Sequence, residues 1–92
     1  MGDMIILNLD GSVLNNKEEL HNTIFYQLAL PDYYGHNLDA LWDVLSTWSA
    51  PLFIEVTNAA LLKVNLNDYA DALLELLHDA RRENDVITLN IS

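Results

Sequence analysis

The apolar run Met4-Ile5-Ile6-Leu7-Asn8-Leu9 ends at the turn-forming pair Asp10-Gly11. A short apolar run bounded by turn residues is typical of a buried strand. Two later runs have the same character, Leu52-Phe53-Ile54-Glu55-Val56 and Val86-Ile87-Thr88-Leu89-Asn90-Ile91. The sequence therefore predicts three strands that are widely separated along the chain.

Helical patterns fill the segments between these strands. Apolar residues recur at helical spacing after Asn16 and after Asn37, and asparagine is a favoured N-cap residue. Glu19, three residues after Asn16, strengthens the first of these starts because it completes a motif that resembles a capping box. The expected helices cover about 17–29, 38–47, 58–64 (a short turn only) and a last stretch from about Leu66 or Asp68 to Glu83.

The order of these elements predicts the fold class. Strands that alternate with helices are joined by crossover connections, which are right-handed and produce a parallel sheet. The chain has 92 residues, which is less than a typical domain and makes a second core unnecessary. We therefore expect an α/β fold, a small three-stranded parallel sheet packed with about three to four helices, in a single domain over residues 1–92.

The charge balance limits the kind of partner. Fourteen acidic residues stand against four basic ones, which gives a net charge of −10. Nucleic acid has the same sign, so nucleic-acid binding is disfavoured and a basic protein partner is favoured. No Lys or Arg lies between Glu18 and Leu62, whereas six acidic residues do. One part of the surface should therefore carry an uncompensated negative field, although solubility alone also explains an acidic composition.

Several classes of protein are disfavoured by what the sequence lacks. It has no cysteine, so disulfide scaffolds, thiolate metal sites and cysteine catalysis do not apply. No apolar run approaches the roughly 18 residues of a membrane helix, so no membrane partner is expected. Met1-Gly2-Asp3 lacks the positive charge of a signal peptide, which makes the cytoplasm the expected location. Three scattered glycines do not make a phosphate-binding loop, and no cofactor is expected.

Asp39 and Asp43 form the most informative local pattern. They are four residues apart on the second predicted helix and share a face, and no Lys or Arg lies three or four positions from either one. Like charges at this spacing are mildly destabilising, so an external cation would account for them. The neighbouring aromatic residues are those of an interface hot spot, namely Tyr33, Tyr34, Trp42 and Trp48. The alternative is an ordinary solvated acidic face beside tryptophans that belong to the core.

The histidines and Gly35 carry weaker predictions. His36 with Asp39 and Asp43 could form a small metal site or an acid–base site, but no second ligand cluster and no nucleophile–base spacing supports either one. His21 and His78 lie within predicted helices and are expected to be surface or half-buried residues. Gly35 is expected to let the backbone turn sharply before the second helix.

The segment from Leu28 to Asp43 resembles the central motif of the barstar family, Tyr-Tyr-Gly-x-Asn-Leu-Asp-Ala-Leu-Trp-Asp. All ten fixed residues of that motif are present between Tyr33 and Asp43. The likeness continues less densely over nearly the whole chain, including Pro51-Leu52 at the middle strand and Ile87-Thr88-x-x-Ile91-Ser92 at the last one. The resemblance implies a fold of three parallel strands with helices packed against them, in agreement with the apolar runs.

This resemblance implies a protein inhibitor of a basic, barnase-type ribonuclease, with no catalytic activity of its own. The second helix and the loop before it would block the active site, with Asp43 in the phosphate-binding pocket and Asp39 as a second acidic contact. Further implied interface positions are Tyr33, Tyr34, Gly35, Asn37, Leu38, Trp42, Thr47 and Trp48, with Asp79 and Glu83 as peripheral acidic contacts. The implied complex has one copy of each protein, and the free inhibitor would be a monomer.

The sequence also departs from the family pattern, and other functions stay open. His36 replaces an acid, Val44 a cysteine and Thr47 a glycine, and the segment 56–66 matches poorly. The target could be the cell's own ribonuclease or the nuclease toxin of a competitor, in which case the protein is an immunity protein. An acidic adaptor or nucleic-acid mimic that binds another basic protein is the alternative.

Overall fold

The fold is an α/β arrangement in a computed structural model that describes residues 4–92. Over these residues it has one sheet of three parallel strands in the order β1-β2-β3, and four helices. The elements in chain order are β1 (Ile5–Asp10), α1 (Lys17–Gln27), α2 (Leu38–Ser46), β2 (Leu52–Thr57), α3 (Ala59–Leu66), α4 (Asp68–Glu83) and β3 (Ile87–Ile91). The predicted fold class is therefore confirmed.

The core lies on one face of the sheet. Leu7 pairs in register with Ile54, and both side chains are fully buried beneath the helices. The helices contribute apolar side chains that are also fully buried, among them Leu20, Ile24, Leu41, Leu45, Leu73 and Leu77. The opposite surface of the sheet, which we call the outer face, carries the cross-strand rows Ile6–Phe53–Thr88 and Asn8–Glu55–Asn90. Burial on one face only explains the strict alternation of buried residues along β2.

The free edge of β1 is covered by a side chain. Gln27 at the end of α1 accepts a hydrogen bond from the Asn8 backbone N–H (2.8 Å) and donates one to the Asn8 carbonyl (3.0 Å). These are the two backbone groups through which another strand would pair with β1 at this position. The amide of Gln27 therefore replaces a neighbouring strand.

Two helix boundaries differ from the prediction, and both involve a left-handed backbone. Ala29 has φ of 51° and α1 ends at Gln27, two residues earlier than expected. Asn58 and Asn67 have φ of 53° and 55° and stand immediately before α3 and α4. Asn58 has αL dihedral angles, which asparagine tolerates better than most residues, whereas Asn67 combines its positive φ with ψ of −129°. These two residues bound α3 at its two ends. The expected short turn at 58–64 is accordingly a complete helix.

The turn after β1 packs tightly against α3. A Cβ atom on Gly11 would lie 2.1 Å from the Asn58 carbonyl oxygen and 2.6 Å from the Leu62 nitrogen, so only glycine fits. The Asp10 carboxylate accepts hydrogen bonds from the Asn58 side chain (2.8 Å) and from Ser12, which lower the pKa of Asp10.

No helix within residues 4–92 combines the length and apolar character needed to cross a bilayer.

Candidate partner-binding surface

α2 is held by the core on one side and presents two carboxylates on the other. Leu41 and Leu45 are fully buried, whereas Asp39 and Asp43 are exposed. The ion pairs found within residues 4–92 join Lys63 to Asp71 and Arg82 to Asp79, and neither involves an acid of α2. The uncompensated negative surface that the sequence predicts is therefore present on this helix.

Asp43 stands between two neighbouring clefts on one flank of α2. The larger has a volume of about 450 Å³ and is lined by Tyr33, Asp43, Thr47 and Trp48 together with small and apolar residues. The smaller, of about 170 Å³, lies beside it, and Tyr33, Tyr34, Gly35 and Asp43 are among its lining residues. The fold thus brings five other predicted binding residues around the Asp43 carboxylate.

Asp39 faces a different groove, between α2 and α4. This groove has a volume of about 280 Å³ and is lined by Leu38, Asp39, Trp42, Ala72, Glu75, Leu76 and Asp79. The predicted residues Leu38, Trp42 and Asp79 therefore do lie together with Asp39. Asp79 is ion-paired with Arg82, which reduces its charge toward a partner, and Glu75 adds an acid that the sequence prediction did not include. Glu83 is exposed at the end of α4 and lines none of these three clefts.

The loop before α2 is fixed by Asn37. Its side-chain oxygen accepts a hydrogen bond from the Ala40 N–H (2.8 Å), which confirms the predicted N-cap, and its amide donates to the Gly35 carbonyl (3.1 Å). The prediction that Gly35 makes the sharp turn is wrong, because the left-handed residue is His36, with φ of 53°. Gly35 matters for space instead, since a Cβ there would lie 3.2 Å from the Ala40 Cβ.

Tyr33 and Tyr34 have opposite environments. Tyr33 is 88% exposed, as a binding residue should be, whereas Tyr34 is 6% exposed and belongs to the core. The Tyr34 hydroxyl lies 2.8 Å from Nδ1 of His21, and Nε2 of His21 lies 2.6 Å from the Tyr69 hydroxyl. Tyr34 therefore anchors the loop to α1 and α4, and its predicted contact with a partner stays a prediction.

His21 is buried, which makes its predicted surface or half-buried position wrong. Burial, with a smaller effect from the nearby His36, lowers the pKa of His21 from 6.5 to about 4. Burial also raises the pKa of Tyr34 and of Tyr69. A neutral imidazole has one donor and one acceptor nitrogen, so it can bond to both hydroxyls at neutral pH. This network connects three elements and carries no net charge.

The carboxyl end of α2 is also held by side chains. The Thr47 hydroxyl donates to the Asp43 carbonyl (2.7 Å), and the Asn84 amide donates to the carbonyls of Leu45 (2.9 Å) and Trp48 (2.8 Å). Trp42 and Trp48 are both partly buried against the core, so each has an exposed part as well as a packed one.

The three candidate metal ligands His36, Asp39 and Asp43 do not form a cluster, since residues 4–92 contain no group of three or more such side chains placed to hold an ion.

The fold and this surface define an acidic α/β interaction protein. The sequence model of the family described as barstar (barnase inhibitor) matches residues 4–91, and the chain belongs to the barstar family. The protein named "Putative ribonuclease inhibitor YrdF" of Bacillus subtilis (strain 168) is 42% identical over 76 residues, which are 82% of this chain and 84% of that protein. Family and relative are both described as inhibitors, so the chain is a non-catalytic protein and not an enzyme.

Proposed function

We propose that this protein inhibits a basic, barnase-type microbial ribonuclease by placing α2 and the preceding loop in the active site of the enzyme. Membership of the barstar family and the description of the relative support a ribonuclease inhibitor. The observation that carries the mechanism is the position of Asp43. Its carboxylate is exposed, has no cationic partner among residues 4–92, and lies between two clefts on a helix that is already anchored.

The chemistry of a ribonuclease explains why a carboxylate suits this role. An enzyme that cleaves RNA holds a phosphate group and therefore has a cationic active site. A carboxylate on a rigid helix offers acceptor oxygens to the same cations but contains no bond that the enzyme can cleave. Asp43 would act as this phosphate mimic, and Asp39 would bind a second cation beside the α2–α4 groove. Both residues are pre-positioned, so little ordering cost is paid on binding.

The remaining predicted residues would form the surroundings of these charges. Other predicted residues line the clefts and would exclude water from the charge pairs, namely Tyr33, Leu38, Trp42, Thr47 and Trp48. Gly35 has no side chain, which would allow the loop before α2 to come close to the surface of the enzyme. Asp79 and Glu83 would make peripheral contacts, weaker than those of α2 because Asp79 already pairs with Arg82 and Glu83 lines none of the three clefts.

We further propose the cellular setting and the stoichiometry. A single binding surface predicts a complex of one inhibitor with one enzyme, and we expect a monomeric free protein, in which Gln27 opposes pairing of a second copy at the Asn8 position of β1. The inhibitor would act in the cytoplasm against a ribonuclease of its own cell or as an immunity protein against a competitor's nuclease toxin. The target in either case would be a basic protein.

Titration of barnase with the purified protein tests this proposal. We expect loss of RNA cleavage that is complete at one inhibitor per enzyme. Lysozyme, a basic protein that does not cleave RNA, serves as the control for non-specific charge attraction and should not compete for the inhibitor at physiological salt. Binding of both basic proteins with similar affinity, without loss of RNA cleavage, would instead favour the acidic adaptor.

A further inference from the structure

Asn84 connects the ends of three elements through one side chain. It follows α4 directly, and its backbone N–H donates to the Ala80 carbonyl (2.9 Å). Its side-chain oxygen accepts from the Val86 N–H (3.2 Å) at the start of β3, and its amide nitrogen donates to Leu45 and Trp48 at the end of α2. Both of the latter partners are 36 or more residues away in sequence.

The end of α2 needs such a donor. The last carbonyls of a helix have no partner within the helix, and α2 has no basic residue in its last turn. α2 has only nine residues, which is too short for a stable isolated helix. Asn84 supplies two hydrogen bonds from a neighbouring part of the fold, one to the Leu45 carbonyl, which also accepts from the Trp48 backbone N–H (3.3 Å), and one to the Trp48 carbonyl.

We propose that Asn84 is a positioning residue for partner binding, which fixes the last turn of α2 and thereby holds Asp43 and Trp48 in their binding geometry before the partner arrives. This inference rests on the proposed function. Asp43 lies two residues before Leu45, and its own carbonyl is bonded by Thr47 in the same turn. Asn84 itself lines none of the three clefts, so it acts through the residues that it holds.

Loss of the Asn84 amide should affect dissociation more than association. A loosened turn must be ordered again in the complex, and that cost weakens the bound state. The encounter depends on net charge, which Asn84→Ala does not change. We therefore expect the dissociation rate from barnase to rise about tenfold and the association rate to stay within about twofold.

Three variants make the test specific. Asn84→Ser keeps one donor and should give an intermediate dissociation rate. Asn84→Asp places acceptor oxygens against the two carbonyls and should dissociate at least as fast as Asn84→Ala. The matched control is Asn90→Ala, which removes an exposed amide that donates to Glu55 on the outer face of the sheet, and it should leave both rates unchanged.

Stopped-flow kinetics and hydrogen exchange together decide the inference. A role in global stability alone would lower the fraction of active protein but leave the dissociation rate of folded Asn84→Ala unchanged, and that result would overturn the proposal. Hydrogen exchange of the free protein should show lost protection at the end of α2 and not uniformly across α4 and the sheet. A uniform loss would also overturn it. If wild-type protein fails to bind barnase, the proposed target is wrong, and the exchange measurement still decides whether Asn84 positions α2.

Discussion

Acid should destabilise this protein through His21. The side chain is 1% exposed, and burial lowers its pKa from 6.5 to about 4. Above pH 6.5 the imidazole is neutral in the folded and the unfolded states, so the stability is fully present. Between pH 6.5 and about 4 only the unfolded state binds the proton, so the free energy of unfolding falls as the pH falls. Below about 4 both states are protonated and this loss is complete.

The size of the effect follows from the shift. A pKa difference of one unit corresponds to about 1.4 kcal/mol, so lowering the pKa of His21 to about 4 contributes a loss of about 3 kcal/mol over this window. That is a large part of the stability of a small domain, commonly about 5–15 kcal/mol. Because His21 holds Tyr34, the loop that precedes α2 should lose this anchor only when the folded protein itself binds the proton, below about pH 4.

Urea unfolding at several pH values measures this effect. His21→Gln keeps a side chain that donates and accepts hydrogen bonds but cannot be protonated, so its stability should fall less between neutral pH and pH 4 than that of the wild type. His78→Gln on the exposed side of α4 is the control and should keep the wild-type pH dependence. Equal slopes for wild type and His21→Gln, or a His21 resonance that titrates near its ordinary pKa, would show that His21 does not cause the acid destabilisation.

Three further predictions concern charge, core and edge. Association with barnase should slow strongly as salt rises, because screening sets in at about 8–10 Å; a salt-independent stopped-flow rate would count against steering by the acidic face. Leu41→Ala should lower the free energy of unfolding by about 2–5 kcal/mol in denaturant melts, since Leu41 is fully buried on α2, and a near-zero change would contradict that packing. Gln27→Ala should expose the Asn8 backbone on β1 and cause self-association at high concentration in light scattering, whereas a variant that stays monomeric would show that the edge needs no cover.

Local patterns in the sequence were sufficient to predict the three strands and the acidic pair on α2. The apolar runs of β1, β2 and β3 have few alternatives between their turn residues, and the spacing of Asp39 and Asp43 requires only that α2 is helical. The full length of α3 was not predictable in this way, because the helix is apolar on its exposed side as well and its end depends on one residue with positive φ, Asn67. The spacing of apolar residues indicates that a segment is helical, but it does not indicate at which residue the helix ends.

The features that the sequence did not predict depend on contacts between residues that lie far apart in the sequence. His21 bonds to Tyr69, 48 residues away, so its burial depends on how α1 and α4 pack and has no local signal. Asn84 is recognisable as a helix end, but its bonds to α2 are formed only once the fold is complete. Tyr34 shows the same limit, since the motif that it shares with Tyr33 does not indicate that one ring is buried and the other exposed.

If Asp43 is the phosphate mimic, Asp43→Ala should bind barnase far more weakly than the wild type. We expect the binding free energy to weaken by about 2–5 kcal/mol, because the cations of the enzyme lose their partner in a site without water. The free energy of unfolding should stay the same or rise slightly, since the repulsion between Asp39 and Asp43 is relieved. Glu55→Gln removes the same charge on the outer face of the sheet and should change the affinity little. Unaltered affinity of Asp43→Ala, or a loss of binding that merely follows unfolding, would contradict the account.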